Sequence, residues 1–158
     1  MILAIDPGNE RSAYVVWDGQ VVLSAETLRN DDLLETIVRN GEIGPMVIEM
    51  IASYGMAVGK TVFETVFWIG RFCEAYGGEW HRVFRKDVKM HLCGSMRAKD
   101  SNISQALRDR FGEKPTKTRP NPVYGDIKLK SDEWQAFGLA VTWWDCHKQV
   151  HDDLKNQK

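Results

Sequence analysis

Cysteine and histidine are scarce: three and four in 158 residues. Cys73, Cys93 and Cys146 show no metal-ligand spacing, and the histidines are scattered, so the chain has no zinc template. The thiols are read as free, in a reducing cytoplasm. No apolar run approaches the ~18 residues of a membrane span. Near Met1 no basic segment leads into an apolar core and cleavage site, so a secretory leader is not expected. Internal repeats and low-complexity stretches are missing too. Net charge is only −1, which at first argues against a nucleic-acid partner.

What is there is an uneven distribution of that charge. Residues 1–80 carry five Lys and Arg against twelve Asp and Glu, a net of −7. Residues 81–130 carry thirteen against five, a net of +8, and residues 131–158 three against five, a net of −2. Phosphate binding depends on the local field rather than the total, so the basic middle is a candidate nucleic-acid surface. A solvated lysine-rich face is the plainer reading of the same block. The composition otherwise, 43% hydrophobic and 27% charged, is that of one globular domain over 1–158.

Apolar runs at 1–5, 12–17 and 20–28 predict three strands. Pro7-Gly8-Asn9 turns the first pair and Asp18-Gly19 the second, so all three are expected antiparallel. Asn30 is expected to cap a helix through Arg39, with Leu33, Leu34, Ile37 and Val38 at helical spacing. "PMVIEMI" reads as a buried strand ending near Glu49. After a glycine-containing loop, residues 61–78 read as a helix with Val62, Phe63, Val66, Phe67, Ile69 and Gly70 on its packing side. "EWHRVFR" is a strand, "KDVKMHL" a short helix and "KDSNISQALRDRFG" a longer one. Residues 114–130, with three prolines and little periodicity, read as a long basic loop. Ser131 is expected to cap a C-terminal helix. The order predicts an α/β fold: three antiparallel strands, then crossover units that add parallel strands.

Three carboxylates fall at element ends. Asp6 closes the first strand, Glu49 closes the fourth, and Asp132 opens the last helix. Each has a structural reading taken singly. Asp6 suits a turn residue, Glu49 a strand-end salt bridge, and Asp132 a complement to the helix dipole. Glu49 is the hardest to read that way, because "VIEMI" holds its charge inside an apolar run. Together the three would repel unless a cation sits among them. Mg²⁺ takes hard oxygen ligands, and a pair of such ions suits phosphodiester hydrolysis.

"ILAIDPG", "VIEMIASYG" and "SDEWQAFGLAV", in that order, resemble the RuvC-like Holliday junction resolvases, with the phage-encoded branch most similar. The likeness runs from residue 1 to about 143 and includes "DVKMHLCGSMRAKDSNI". It implies a ribonuclease H-like fold, a mixed five-stranded sheet flanked by helices. It also implies a homodimer that nicks branched DNA in pairs, using Mg²⁺ or Mn²⁺, and leaves 5′-phosphate and 3′-hydroxyl ends. Asp6, Glu49 and Asp132 would be the catalytic metal ligands, holding two ions per site. The chain departs from the cellular pattern twice. An aspartate three positions after Asp132 is replaced by Gln135, which leaves Asp132, alone or with Glu133, as the last ligand. The acidic-then-lysine order after Ala98 is reversed to Lys99-Asp100, and Lys89 matches a family basic position better.

From these positions Lys89, Arg97 and Lys99 are expected to neutralise phosphates near the cut. Arg82, Arg85, Lys86, Lys114, Lys117 and Arg119 are expected to hold the DNA arms, setting position rather than reading bases. Tyr54 could stack on an unpaired base or pack at an interface. Phe63, Phe67 and Trp68 could be core or dimer surface. Actin-like sugar kinases open with a similar strand-aspartate-glycine turn, but they need a second such lobe, for which 158 residues leave no room. A ribonuclease of the same fold, and a non-catalytic junction-binding protein, are the remaining alternatives.

Overall fold

The computed structural model describes residues 1–53, 55 and 57–155, with side chains through residue 147. Its strands are β1 (Ile2–Asp6), β2 (Arg11–Trp17), β3 (Val22–Arg29), β4 (Met46–Met50) and β5 (Trp80–Phe84). Its helices are α1 (Asn30–Asn40), α2 (Lys60–Tyr76), α3 (Arg85–Cys93), α4 (Asp100–Phe111) and α5 (Ser131–Lys155). The sheet order is β3-β2-β1-β4-β5. β1, β2 and β3 pair antiparallel, while β4 and β5 join parallel to β1. This is the expected mixed α/β sheet of the ribonuclease H-like fold, flanked by helices on both faces.

β1 is buried on both faces, which is why it reads as a continuous apolar run rather than an alternating one. Ile2 and Ala4 pack with Val47 against Trp134, Phe137 and Val141 of α5. Leu3 and Ile5 pack with Met46 and Ile48 against Leu33 and Ile37 of α1 and Ile69 and Phe72 of α2. Side chains alternate along a strand. Asp6 therefore continues the Ile2–Ala4 row, and Glu49 continues the Val47 row, on the α5 side. The register that pairs Ile5 with Ile48 brings the two carboxylates to the same end of neighbouring strands.

Three local expectations need correction, and a fourth gains detail. Asn30 does not cap α1. Its Oδ1 accepts from the Ser12 hydroxyl at 2.7 Å and its Nδ2 donates to the Gly8 carbonyl at 2.9 Å. It braces the turn that follows Asp6 and is buried in doing so. Gly8 is required there, because a Cβ would stand 2.3 Å from the Arg11 carbonyl oxygen. Second, Ser131 is the first residue of α5 rather than its cap. The Lys130 N–H is taken by Glu133 Oε2 at 2.8 Å, three residues on. Third, α2 buries Thr65, Ile69, Phe72, Cys73 and Tyr76, while Phe63, Val66 and Phe67 are exposed. The helix has two apolar stripes, and the sheet takes the one nearer its C-terminus. Fourth, the 114–130 loop is irregular as expected, and it is anchored in the core: Pro115, Tyr124 and Leu129 are buried. Tyr124 meets Trp134 and Phe137 edge-on at 5.5 and 6.0 Å. No helix among the described residues is long and apolar enough to cross a membrane.

Candidate active site

The site is built where β1, β4 and β5 end together. β5 runs parallel to β4 with Glu49 opposite Val83 and Met50 opposite Phe84. The next residue, Arg85, opens α3 and so falls at the carboxylate end of the sheet. Its Nε lies 3.1 Å from Glu49 Oε2 and its Nη2 3.4 Å from Asp6 Oδ1. Its Nη1 donates to Gln135 Oε1 at 3.0 Å and stands 3.7 Å from Asp100 Oδ1. Lys89, one turn further along α3, reaches the same Asp100 oxygen at 4.0 Å.

Charge is out of balance here. Burial is the main force that pushes Asp6 up to about 7; Arg85 opposes the shift, and Glu49, Asp132 and Asp100 add to it. Burial raises Glu49 as well, with Arg85 opposing and Asp100 adding. Burial works against the Arg85 charge, but Glu49, Asp6 and Asp100 outweigh it and hold the guanidinium firmly protonated. One guanidinium thus faces two largely buried carboxylates, with Asp100 and Asp132 within electrostatic reach and Lys89 the other cation acting on Glu49. Strongly shifted groups converging in a cleft are a mark of a functional site.

Asp132 stands exposed on the first turn of α5, near enough to act on Asp6. Its neighbour Glu133 is buried and committed elsewhere: Thr27 Oγ1 donates to it at 3.1 Å, and it takes the Lys130 N–H. Gln135 is buried as well, donating to the Asp100 carbonyl at 3.3 Å and to Ser104 Oγ at 3.5 Å while it accepts from Arg85.

The donor chemistry of Asp6, Glu49 and Asp132 fits a hard divalent ion: carboxylate oxygens, partly dehydrated, short of positive charge. Among the described residues, however, no three His, Cys, Asp or Glu side chains converge closely enough to hold one. Arg85 stands between the two best placed.

The basic residues separate into groups. Lys114 and Arg119 line one groove with Arg108, Glu113, Thr116 and Thr118. Arg108 and Lys114 also line a second groove, which reaches Asp100, Ser104 and Gln135. The two share Arg108 and Lys114 and run from Asp100 and Gln135, both partners of Arg85, out along the 114–130 loop. Arg97, Lys99 and Lys117 are exposed, as is Lys86, whose ammonium lies 5.8 Å from the Phe84 ring centre. Two of the expected DNA-holding residues lie apart from these grooves. Arg85 sits at the carboxylate centre, because β5 ends beside Glu49. Arg82 lies on the other sheet face, since its neighbour Val83 packs toward α5; it lines a groove with Ile69, Cys73 and Trp80. Tyr54 falls outside the described residues.

Arg108 escaped the sequence reading, and Asp100 and Gln135 entered it only as departures from the family pattern. For Arg85 a signal existed: a parallel strand next to "VIEMI" must end beside Glu49, so the residue after "WHRVF" arrives at the same edge.

A mixed sheet with acidic side chains at the shared end of its two central strands defines a ribonuclease H-like architecture. Among solved structures the chain is similar to Thermus thermophilus RuvC, with a TM-score of 0.63 and 16% identity over 89% of this chain and 91% of that one. It is also similar to T. thermophilus RuvC in complex with a Holliday junction substrate, with a TM-score of 0.66 and 15% identity over 89% and 90% of the two chains. At this identity the likeness establishes the fold. No family model and no curated protein sequence matches.

Proposed function

We propose that the chain is a metal-dependent endonuclease of one ribonuclease H-like domain, resolving four-way DNA junctions by paired nicking. The observation that carries this reading is the pair Asp6 and Glu49, largely buried side by side at a sheet end, where burial outweighs the pull of Arg85 on both carboxyls. Asp6, Glu49 and Asp132 would hold Mg²⁺, with Mn²⁺ as a substitute and two ions per site. When bound, such ions supply a polarised phosphate and a water acidic enough to attack it. The protein's own part is placement. The Arg108–Lys114–Arg119 path fixes a phosphate backbone so that one phosphodiester reaches the carboxylate end of the sheet, and Lys89 and Lys99 steady its charge. Cleavage there gives 5′-phosphate and 3′-hydroxyl ends.

A second protomer supplies the second nick. The exposed Phe63, Val66 and Phe67 on α2 give a face on which two copies can meet. A phage origin, and action in a host-cell cytoplasm, follow the sequence resemblance. Nicking of a synthetic four-way junction with and without Mg²⁺, beside linear duplex, single strand and RNA–DNA hybrid, tests the reading. Metal-dependent cuts confined to the junction are expected. Preference for the hybrid would make the protein a ribonuclease, and binding without cutting a junction-binding module.

A further inference from the structure

Arg85 fills the place where a divalent ion would sit. All three of its guanidinium nitrogens are used: Nε toward Glu49 at 3.1 Å, Nη2 toward Asp6 at 3.4 Å, and Nη1 on Gln135 at 3.0 Å. A Mg²⁺ ion requires its oxygens at about 2.0–2.1 Å from one centre. The planar fork, wider than that, holds the Asp6 and Glu49 oxygens apart, so guanidinium and ion exclude one another.

We infer that Arg85 is the protein's resident counter-ion, occupying the Asp6–Glu49 position until a divalent cation displaces it, and that the released guanidinium then serves a DNA phosphate. The inference rests on the metal-dependent reading above. Three features support it. The compensation is incomplete: Arg85, with Lys89 4.0 Å from Asp100, leaves burial the larger influence on both Asp6 and Glu49, so a doubly charged ion neutralises the site better. Gln135 gives the guanidinium a seat without adding a further charge. Its amide is in turn anchored to the Asp100 carbonyl and Ser104. Finally, the Arg85 side chain keeps 30% of its surface exposed. It stands on the first residue of α3, so it can leave by side-chain rotation while the backbone stays in place. A planar fork of donors is suited to phosphate once it is free.

The test is Mn²⁺ binding to the full chain without DNA, read from the paramagnetic resonance of free Mn²⁺. Wild type is compared with Arg85→Gln, each with and without Asp6→Asn. An opposite charge at this range alters a carboxylate's affinity for a proton by roughly one to three powers of ten. Removing the competitor should therefore tighten Mn²⁺ binding by about tenfold or more. Asp6→Asn should cancel that gain. Equal or weaker binding by a folded Arg85→Gln, with Asp6→Asn still abolishing the site, overturns the role of Arg85 and leaves the metal reading intact. Binding indifferent to Asp6→Asn overturns both. Should Arg85→Gln not fold, wild type serves alone. The Arg85 Nε–H resonance should shift and exchange faster with water as Mg²⁺ fills the site. An unchanged resonance while the Asp6 and Glu49 carboxyl carbons respond overturns the inference.

Discussion

Two arginine-centred ion clusters in this molecule are built in opposite ways. On the outer side of α5, Asp145 receives Arg110 at 2.5 and 2.9 Å and His91 at 2.8 Å. Burial pushes that carboxyl up, but hydrogen bonds from Arg110 and His91 outweigh it and hold Asp145 below the usual carboxylate range. An arginine and a histidine serve one acid, and α3, α4 and α5 are pinned together. At the sheet end Arg85 serves two largely buried acids, with Asp100 and Asp132 nearby and only Lys89 to help, and Asp6 is pushed up to about 7. The first cluster is a clamp. The second stores electrostatic mismatch, which a fold tolerates where it has work to do.

The sharpest contrast is in pH dependence. In metal-free protein the raised Asp6 should cost stability as pH rises from about 4 to about 7, because the unfolded chain has already released a proton that the folded chain keeps. Asp6→Asn should remove up to ~4 kcal/mol of that loss, seen as a flatter denaturation midpoint against pH. Asp145 runs the other way: its contribution is present above the usual carboxylate range and is lost as pH falls through its lowered folded value. Asp145→Asn should therefore lose about 1–2 kcal/mol at neutral pH, less as acid is added, with nicking intact while the protein stays folded. Two profiles that move in the same direction would break the comparison. The smallest effect concerns DNA. Lys114→Ala should reduce the slope of log affinity against log salt by about one contact's worth, ~0.9. Arg110→Ala should leave the slope unchanged, since Arg110 is already committed to Asp145.

How much of this was legible differs by element. β1 and β4 could be read because burial on both faces makes unbroken apolar runs, and Asp6 and Glu49 stood out as charges inside them. The face of α2 could not. Its apolar residues form two stripes, and periodicity identifies an amphipathic helix without saying which stripe meets the sheet. In the 114–130 loop the absence of a period was visible, but the same absence hid Tyr124 and Leu129 as core anchors. Arg85 was legible as a charge, and its position followed only from pairing "WHRVF" in parallel with "VIEMI", because an arginine after a strand otherwise reads as surface. Asn30 shows a similar limit. The residue type suits a cap, yet its hydrogen bonds go to Ser12 and Gly8, partners that only the folded sheet supplies.

The central claim is that the mismatched cluster is where the chemistry occurs. The direct measurement is strand nicking and binding of one synthetic four-way junction in Mg²⁺, by wild type and by Asp6→Asn. The account predicts that wild type nicks and that Asp6→Asn binds the junction with similar affinity while losing about a thousandfold or more in nicking rate, the scale of several kcal/mol of metal-borne stabilisation. Nicking by Asp6→Asn at the wild-type rate would contradict it.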